Sequence, residues 1–308
     1  MAKLFENKIF QDPEAAREWL EARLWPQGPV CGHCGTMGEA RALSNRPGTY
    51  QCNACRKQFT VTVGTVFERS HIPLNKWLLA TFLFVSSKKG ISAHQMHRLL
   101  DITYKSAWFM MHRLREAMTP AAPGPLGGPG QIVEADETYL LKASGKKKVT
   151  PKAGGYAHKM KVLSLTERGG SIRSMRIIDA TKLEIGGLVR KNIHPDSILH
   201  TDGSGVYVEI GASKEHEFVD HNKGYVGIGR KKRKVHTNTL EGYFSIFKRG
   251  MVGVYQHCGE QHLQRYLAEF DFRQNTRAKL GITDDMRAEK AINGIVGKRL
   301  TYRRTLQA

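Results

Sequence analysis

The chain reads as a mixed α/β protein, with a small metal-binding ribbon and a helical block ahead of a larger sheet domain. Three observations predict this. Cys31, Cys34, Cys52 and Cys55 form two Cys-x-x-Cys pairs early in the chain, a spacing that suits a tetrahedral zinc site. A Pro/Gly-rich stretch at 119–130 separates a helical region from the C-terminal part of the chain. Beyond that stretch, β-type runs alternate with helical ones, the pattern of a mixed α/β domain.

Taken in order, residues 12–24 read as a helix. Asp12 can cap it, Pro13 suits its first turn, and Ala16, Trp19, Leu20 and Leu24 form an apolar stripe. Pro26, Gly28 and Pro29 stop it before the first cysteine pair. Gly32, Gly35 and Asn53 can supply the backbone angles that metal knuckles need. The Thr- and Val-rich segment Tyr50–Phe67 reads as strands around the second pair. Asn75 opens an apolar helical run through Trp77, Leu78, Phe82 and Phe84. Ser92 and Thr103 can cap two further helices joined by Asp101–Ile102–Thr103, a helix-turn-helix pattern. In that reading Tyr104, Lys105, Ser106, His112 and Arg113 face DNA; an ordinary helical hairpin is the plainer alternative.

After the 119–130 linker, strands are expected at Ile132–Leu141, Lys161–Leu165, Ser174–Asp179, Ser197–His200 and Phe218–Asp220. Helices are expected at Lys182–Lys191, 238–249 and 260–273. The domain division is 1–68 (N-terminal helix and ribbon), 69–118 (helical block), 119–130 (linker), 131–275 (sheet domain) and 276–308 (basic C-terminal tail).

Composition narrows the partner. The 308 residues carry 48 Lys and Arg against 28 Asp and Glu, a formal net charge of +20. Such an excess points to a polyanion, and its clustering points to nucleic acid: Arg230, Lys231, Lys232, Arg233 and Lys234 are consecutive, and Lys146–Lys148 form a second run. A solvated loop is the plainer reading of either run. Only Cys258 lies outside the paired cysteines, which argues against a disulfide framework and for a reducing compartment. The longest apolar stretch, Trp77–Val85, falls well short of the roughly 20 residues a spanning helix needs. The N-terminal MAKLFENKIF lacks the apolar core of a signal peptide, so the expected location is cytoplasmic, with no membrane partner.

In so basic a chain the acids at strand ends are informative. Asp136 falls late in a strand, Asp202 just after another, and Glu241 in a helix. On that helix Leu240, Tyr243, Phe244 and Phe247 make an apolar face, with Glu241, Ser245 and Lys248 beside it. Converging carboxylates repel unless cations neutralise them, and hard ions such as Mg²⁺ or Mn²⁺ suit oxygen donors. Each acid also has a local reading, as a turn residue, a cap or a solvated helix residue. Glu134 shares a strand face with Asp136 and competes with it; Asp179, Asp196 and Asp220 are weaker candidates.

The ordered blocks CGHCG…CNACRKQFTVTVGTVFERSHIPLNKW, GISAHQMHRLLDITYKSAWFMMHRLREAM, VEADETY, HTDGSGVY and HTNTLEGYFSIFKRG resemble the ISXO-like group of bacterial insertion-sequence transposases. That group joins a zinc ribbon to a DDE catalytic domain, and the resemblance spans nearly the whole chain. It implies a ribonuclease-H-like fold for residues 131 to about 275, with Asp136, Asp202 and Glu241 as the three acids and Lys248 as the associated lysine. It also implies two catalytic Mg²⁺ or Mn²⁺ ions, structural Zn²⁺ on the four cysteines, and action on terminal inverted repeats and target DNA by a homodimer or larger assembly at the bacterial nucleoid. Asn238 and His200 are secondary positions in these blocks; Tyr255, His257, Cys258 and His262 lie in the following segment GVYQHCGEQHLQRYLAEFDFRQN, also similar to the group's, with a buried structural thiol as the expected role of Cys258. A zinc-ribbon regulator without catalysis and a stand-alone metal nuclease are the competing functions.

Overall fold

The computed structural model describes residues 6–142, 158–208, 210 and 215–301; the Lys146–Lys148 run lies outside them. The chain divides into two compact units, 1–119 with 281–308, and 120–280.

In the first unit, α1 (Pro13–Leu24) starts as its sequence dictates. The Asp12 carboxylate accepts from Glu14 N at 3.0 Å, and Pro13 fills the first turn. A three-stranded antiparallel ribbon comes next, β1 (Ala40–Ala42), β2 (Tyr50–Cys52) and β3 (Gln58–Phe59). Residues 60–67 do not continue as strands. The Thr60 and Thr62 hydroxyls bond each other at 2.9 Å, and Val63 N and Thr65 N bond back to the carbonyls of Thr60 and Thr62. Local bonds of this kind replace the ladder the alternation suggested.

Helices α2 (Leu74–Ser86), α3 (Ala93–Leu100) and α4 (Tyr104–Met118) complete the block. Ser92 and Thr103 cap as expected, each accepting at 3.1 Å from the N–H three residues on. Asp101 makes the turn in the left-handed region, φ 47°.

Part of the segment expected as a basic tail belongs to this unit. Helix α8 (Asp284–Asn293) packs on α2 and α4, burying Ala291 and Ile292. Arg287 donates to Val85 O at 3.3 Å, and Val66 N donates to Ile295 O. Its amphipathic face, not its net charge, decides its place.

The second unit holds a five-stranded mixed sheet in the order β6 (Ile172–Ile177), β5 (Lys159–Glu167), β4 (Ile132–Lys142), β7 (Ile198–Asp202), β8 (Glu215–Val219). β4 pairs antiparallel with β5 and parallel with β7; β7 and β8 are also parallel. Strand alternation splits the core. On one face Leu140, Met160, Val162 and Ile172 pack against α6 (Asn238–Gly250) and α7 (Leu263–Asn275) through Leu240, Phe247, Leu267 and Phe270. On the other, Val133, Ala135, Leu163 and Leu199 pack against α5 (Lys182–Asn192) through Ile185 and Val189. Cys258 is buried in the first of these clusters, as a small thiol in an apolar setting. A short hairpin, β9 (Gly227–Ile228) with β10 (Lys234–Val235), precedes α6.

The Pro/Gly stretch is partly docked on this unit. Leu126 N donates to Asn192 O at 2.8 Å and Gly128 N to Ser197 Oγ at 3.0 Å. Gly127 has φ +81°, and a Cβ there would fall 2.3 Å from Ser197 Oγ. Among the described residues no helix is long and apolar enough to cross a membrane.

The close approach at Gly294 tests the docking of the C-terminal helix. A Cβ there would lie 2.2 Å from Ala117 O, so Gly294→Ala is expected to destabilise the first unit by roughly 1–3 kcal/mol, read as a lowered midpoint in thermal unfolding.

Candidate active site and metal centre

The four cysteines meet. Their Sγ atoms all lie within 4.8 Å of one another, with Cys31–Cys55 and Cys34–Cys52 each at 3.7 Å, and none is in a disulfide. Tetrahedral Zn–S bonds of about 2.3 Å place sulfurs about 3.8 Å apart, so the cluster fits zinc. Gly35 takes the left-handed angle in the first knuckle, φ 78°. In the second knuckle that angle falls to Arg56, φ 62°, and not to Asn53. Gly32 serves by size, since a Cβ there would sit 2.5 Å from Val63 O. Trp25, Tyr50 and Phe59 pack around the cluster with ring centroids 5.5–5.8 Å apart.

In the sheet domain, register brings the first two acids together. Ile132, Val133 and Glu134 pair with Ile198, Leu199 and His200. Carried two residues further, the same register sets Asp136 beside Asp202, at a strand spacing of roughly 4.8 Å. Both point to the face covered by α6, which carries Glu241. Burial pushes the Asp136 carboxyl up to about 8, with the charges of Glu137, Asp202 and Glu241 adding to it. The three acids therefore share one electrostatic environment. They are not gathered as tightly as the cysteines: among the described residues, only the cysteine group brings three or more ligand atoms within 4.8 Å of one another.

Glu134, the rival for Asp136, is engaged elsewhere. It is fully buried, and it accepts from Thr239 N and Oγ1 at 3.0 Å each and from Arg168 at 3.0 and 3.1 Å. One residue past Asp136, Glu137 points to the opposite face. There it accepts from Tyr207 Oη at 2.5 Å, and burial raises its pKa. Tyr207 lies in the turn after Asp202, so this bond ties that turn to β4. His200 is buried between Arg168, whose NH2 is 3.2 Å from Nδ1, and Glu217, 3.3 Å from Nε2. Burial, with Arg168 and Arg233 nearby, lowers its pKa to about 4. The ring is neutral at pH 7, accepting on Nδ1 and carrying its proton on Nε2.

His221 is a residue the sequence motifs do not mark. Its Nε2 stands 3.8 Å from Glu241 Oε1; no motif spacing signals this, because His221 sits in a turn after β8. Lys248 is exposed, on the same helical side as Glu241 and Ser245. The weaker acids are taken locally: Asp179 by Lys161 at 3.9 Å, Asp196 by His194 at 3.9 Å, and Asp220 by Lys223 at 3.6 Å. Asn238 opens α6, and Tyr255 donates to Glu269.

The DNA-facing set changes. Tyr104 and Lys105 are exposed at the start of α4, with Tyr104 stacked on His94 at 4.3 Å, and Ser106 accepts from Thr103 Oγ1 at 2.9 Å. His112 is buried against Trp108, with ring centroids 4.2 Å apart, and belongs to the core. Arg113 spends one guanidinium nitrogen on the carbonyls of Val66 and Glu68, at 3.0 and 2.9 Å. In the basic run, Arg233 is bound by Glu215 and Glu217 at 3.2 and 3.5 Å, whereas Arg230, Lys232 and Lys234 are exposed. Arg230 N also donates to Glu217 at 2.6 Å. The Lys231 side chain lies outside the described residues.

The chain thus joins a four-cysteine ribbon to a mixed α/β domain in which acids crowd Asp136. Residues 125–275 match the ISXO2-like transposase domain, and residues 11–58 match the transposase zinc-ribbon domain. The chain belongs to the ISXO-like transposase family. It is also similar to an uncharacterized protein in transposable element ISH50 of Halobacterium salinarum, 28% identical over 290 residues, covering 89% of this chain and 95% of that protein. Both domains imply DNA binding.

Two outcomes are expected. Cys52 is buried among the aromatics, so Cys52→Ser should lose zinc and loosen the ribbon, measured as zinc content by atomic emission and as faster proteolysis within 11–58. Asp136 holds its proton more tightly folded (about 8) than unfolded (3.8). Between those values the native state binds more protons, so stability falls as pH rises. In zinc-loaded protein without Mg²⁺, Asp136→Asn should stabilise the fold at pH 7.5 by on the order of a few kcal/mol, read as a higher melting midpoint. The gain should shrink as pH falls toward 4.

Proposed function

We propose that the chain cuts DNA at the ends of its element and joins the freed ends to target DNA, with both reactions at the site formed by Asp136, Asp202 and Glu241. The single observation that carries this is electrostatic. A half-buried Asp136 is held at a raised pKa by burial and by like charges that include the other two acids. Carboxylates crowded in this way suit hard divalent cations. Mg²⁺ or Mn²⁺ fits the oxygen donors, and a pair of such ions would supply activation of the attacking oxygen and stabilisation of the leaving one. A paired site also spans more than one point, which accommodates acids that do not converge within one ligand shell.

The residues of the chain do the positioning. Asp136 and Asp202 sit on adjacent strands of one rigid sheet. Glu241 faces them from α6, and Lys248, two turns along, can hold a DNA phosphate. The attacking group is a water in cutting and a 3′-hydroxyl in joining; both displace an oxygen at phosphorus, so one arrangement can serve both. The sheet order β6–β5–β4–β7–β8, with β4, β7 and β8 parallel, supports a ribonuclease-H-like reading of the domain. Zinc on the ribbon, together with Tyr104, Lys105 and Ser106 at the start of α4, is assigned to recognition of the terminal inverted repeats. Exposed Arg230, Lys232 and Lys234 add phosphate contacts. Two ends must be joined, so the working assembly contains at least two chains.

The test uses oligonucleotides carrying the element ends, with Mg²⁺ or Mn²⁺. Asp136→Asn, Asp202→Asn and Glu241→Gln should each lower cleavage by at least about a thousandfold while leaving DNA binding intact. Pre-cut ends should still yield joined product with the unaltered chain. Cleavage without joining would identify a nuclease, and undiminished cleavage in all three variants would remove these acids from the chemistry.

A further inference from the structure

Resting on that reading of the three acids, we propose that Glu134 is a positioning residue for the third of them. By holding the N-terminus of α6, it fixes Glu241 against Asp136 and so sets the divalent-ion affinity of the site.

A helix start leaves backbone N–H groups without intrahelical partners. The usual remedy is the side chain of the residue just before the helix. Here that residue, Thr237, makes no capping bond, and its buried hydroxyl has no hydrogen-bond partner. The acceptor comes instead from a strand 105 residues away in sequence. Glu134 Oε2 accepts from Thr239 N at 3.0 Å and from Leu240 N at 3.4 Å, and Oε1 accepts from Thr239 Oγ1 at 3.0 Å. A negative charge at this end also complements the helix dipole.

The carboxylate is fully buried, so it needs a cation. Arg168 supplies it through Nε and NH2, and is itself held by the carbonyls of Lys234 and His236 and by the His200 ring. His236 Nδ1 lies 3.4 Å from Glu134 Oε1. The clamp therefore also gathers the chain leading into α6.

The placement is what gives the clamp a role beyond stability. Glu134 is two residues before Asp136 on the same strand face, and Thr239 is two residues before Glu241 on the helix. The bond between Glu134 and Thr239 thus joins the two elements next to the acids they carry. A shift of α6 along the sheet would separate Glu241 from Asp136 first. Partners of this kind, which touch no ion but fix the residues that do, set how tightly a metal site binds.

The experiment titrates the full chain with Mn²⁺ and reads the midpoint both from end cleavage and from bound Mn²⁺, followed by the electron paramagnetic resonance signal of the free ion, with DNA binding measured in parallel. Glu134→Gln keeps the shape but loses the charge and an acceptor. It is expected to raise the half-maximal Mn²⁺ concentration by about tenfold or more, with saturating Mn²⁺ restoring most of the rate and DNA affinity unchanged. Thr239→Val removes one donor and should shift the same midpoint by roughly two- to fivefold. A folded Glu134→Gln protein with an unchanged midpoint overturns the proposal. So does loss of cutting that no Mn²⁺ concentration restores, which would put Glu134 among the ion-holding residues. If Glu134→Gln does not fold, the Thr239→Val midpoint decides, and no shift overturns the proposal. Full cleavage by Asp136→Asn, Asp202→Asn and Glu241→Gln would defeat the underlying site reading instead, a separate result.

Discussion

The parallel pairing of β4 with β7 forces like charges together, and the surrounding polar structure is arranged around that fact. Extended two residues beyond its last pair, Glu134 with His200, that pairing sets Asp136 and Asp202 in one row. The next row toward the strand starts holds Glu134, His200 and Glu217. The two rows are treated in opposite ways. In the inner row every charge is met: Arg168 serves Glu134, Arg233 serves Glu217, and a neutral His200 lies between. A buried ion pair is tolerable only when its remaining hydrogen bonds are made, and here backbone N–H groups of Thr239 and Arg230 complete them. In the outer row burial, and after it the like charges of Glu137, Asp202 and Glu241, push the Asp136 carboxyl up to about 8. The contrast sets the acids that build the fold apart from those proposed above to hold a ligand.

The ribbon solves a different problem. Its strands are two or three residues long, and its apolar content amounts to a few aromatics. So little burial cannot fix a fold against chain entropy. Zinc bound at the cysteine cluster would supply the missing free energy, because that cluster exists only in the folded ribbon.

Local features were legible in the sequence. The caps at Asp12, Ser92 and Thr103, the paired cysteines and the alternation of the sheet strands are encoded within a few residues of where they act. The mixed α/β class is readable from them. The misreadings share one cause, which is distance along the chain. Arg113 and Arg233 look like DNA ligands until Val66, Glu68, Glu215 and Glu217 are folded beside them. Glu134 looks like a catalytic alternative until α6 arrives. His112 sits at a polar-looking position but is drawn into the core by Trp108. The Thr- and Val-rich run after Phe59 shows the reverse failure: a strand pattern yielded to hydroxyl and backbone bonds two or three residues apart. For the candidate site, order along the chain and residue type pointed to the three acids, while the residues that hold their elements carry no short-range signal.

Helix α6 shows how such a site can be rigid yet open. Glu134 holds its first turn. One turn further along the helix, Tyr243 Oη donates to Asp271 at 2.6 Å and meets Ser174 Oγ at 3.1 Å, and Ser174 reaches Ser164, the β5 partner of Asp136. Asp271 is pushed up to about 6 by burial and is restrained by the bonds from Tyr243 and Ser174. The backbone carrying Glu241 is thereby fixed, and the freedom left lies in the side chain, which is half-buried and rests near His221. This explains why the cysteines are gathered and the acids are not. The cysteine sulfurs are brought together by the two knuckles. Carboxylates of like charge stay apart until a cation offsets their repulsion.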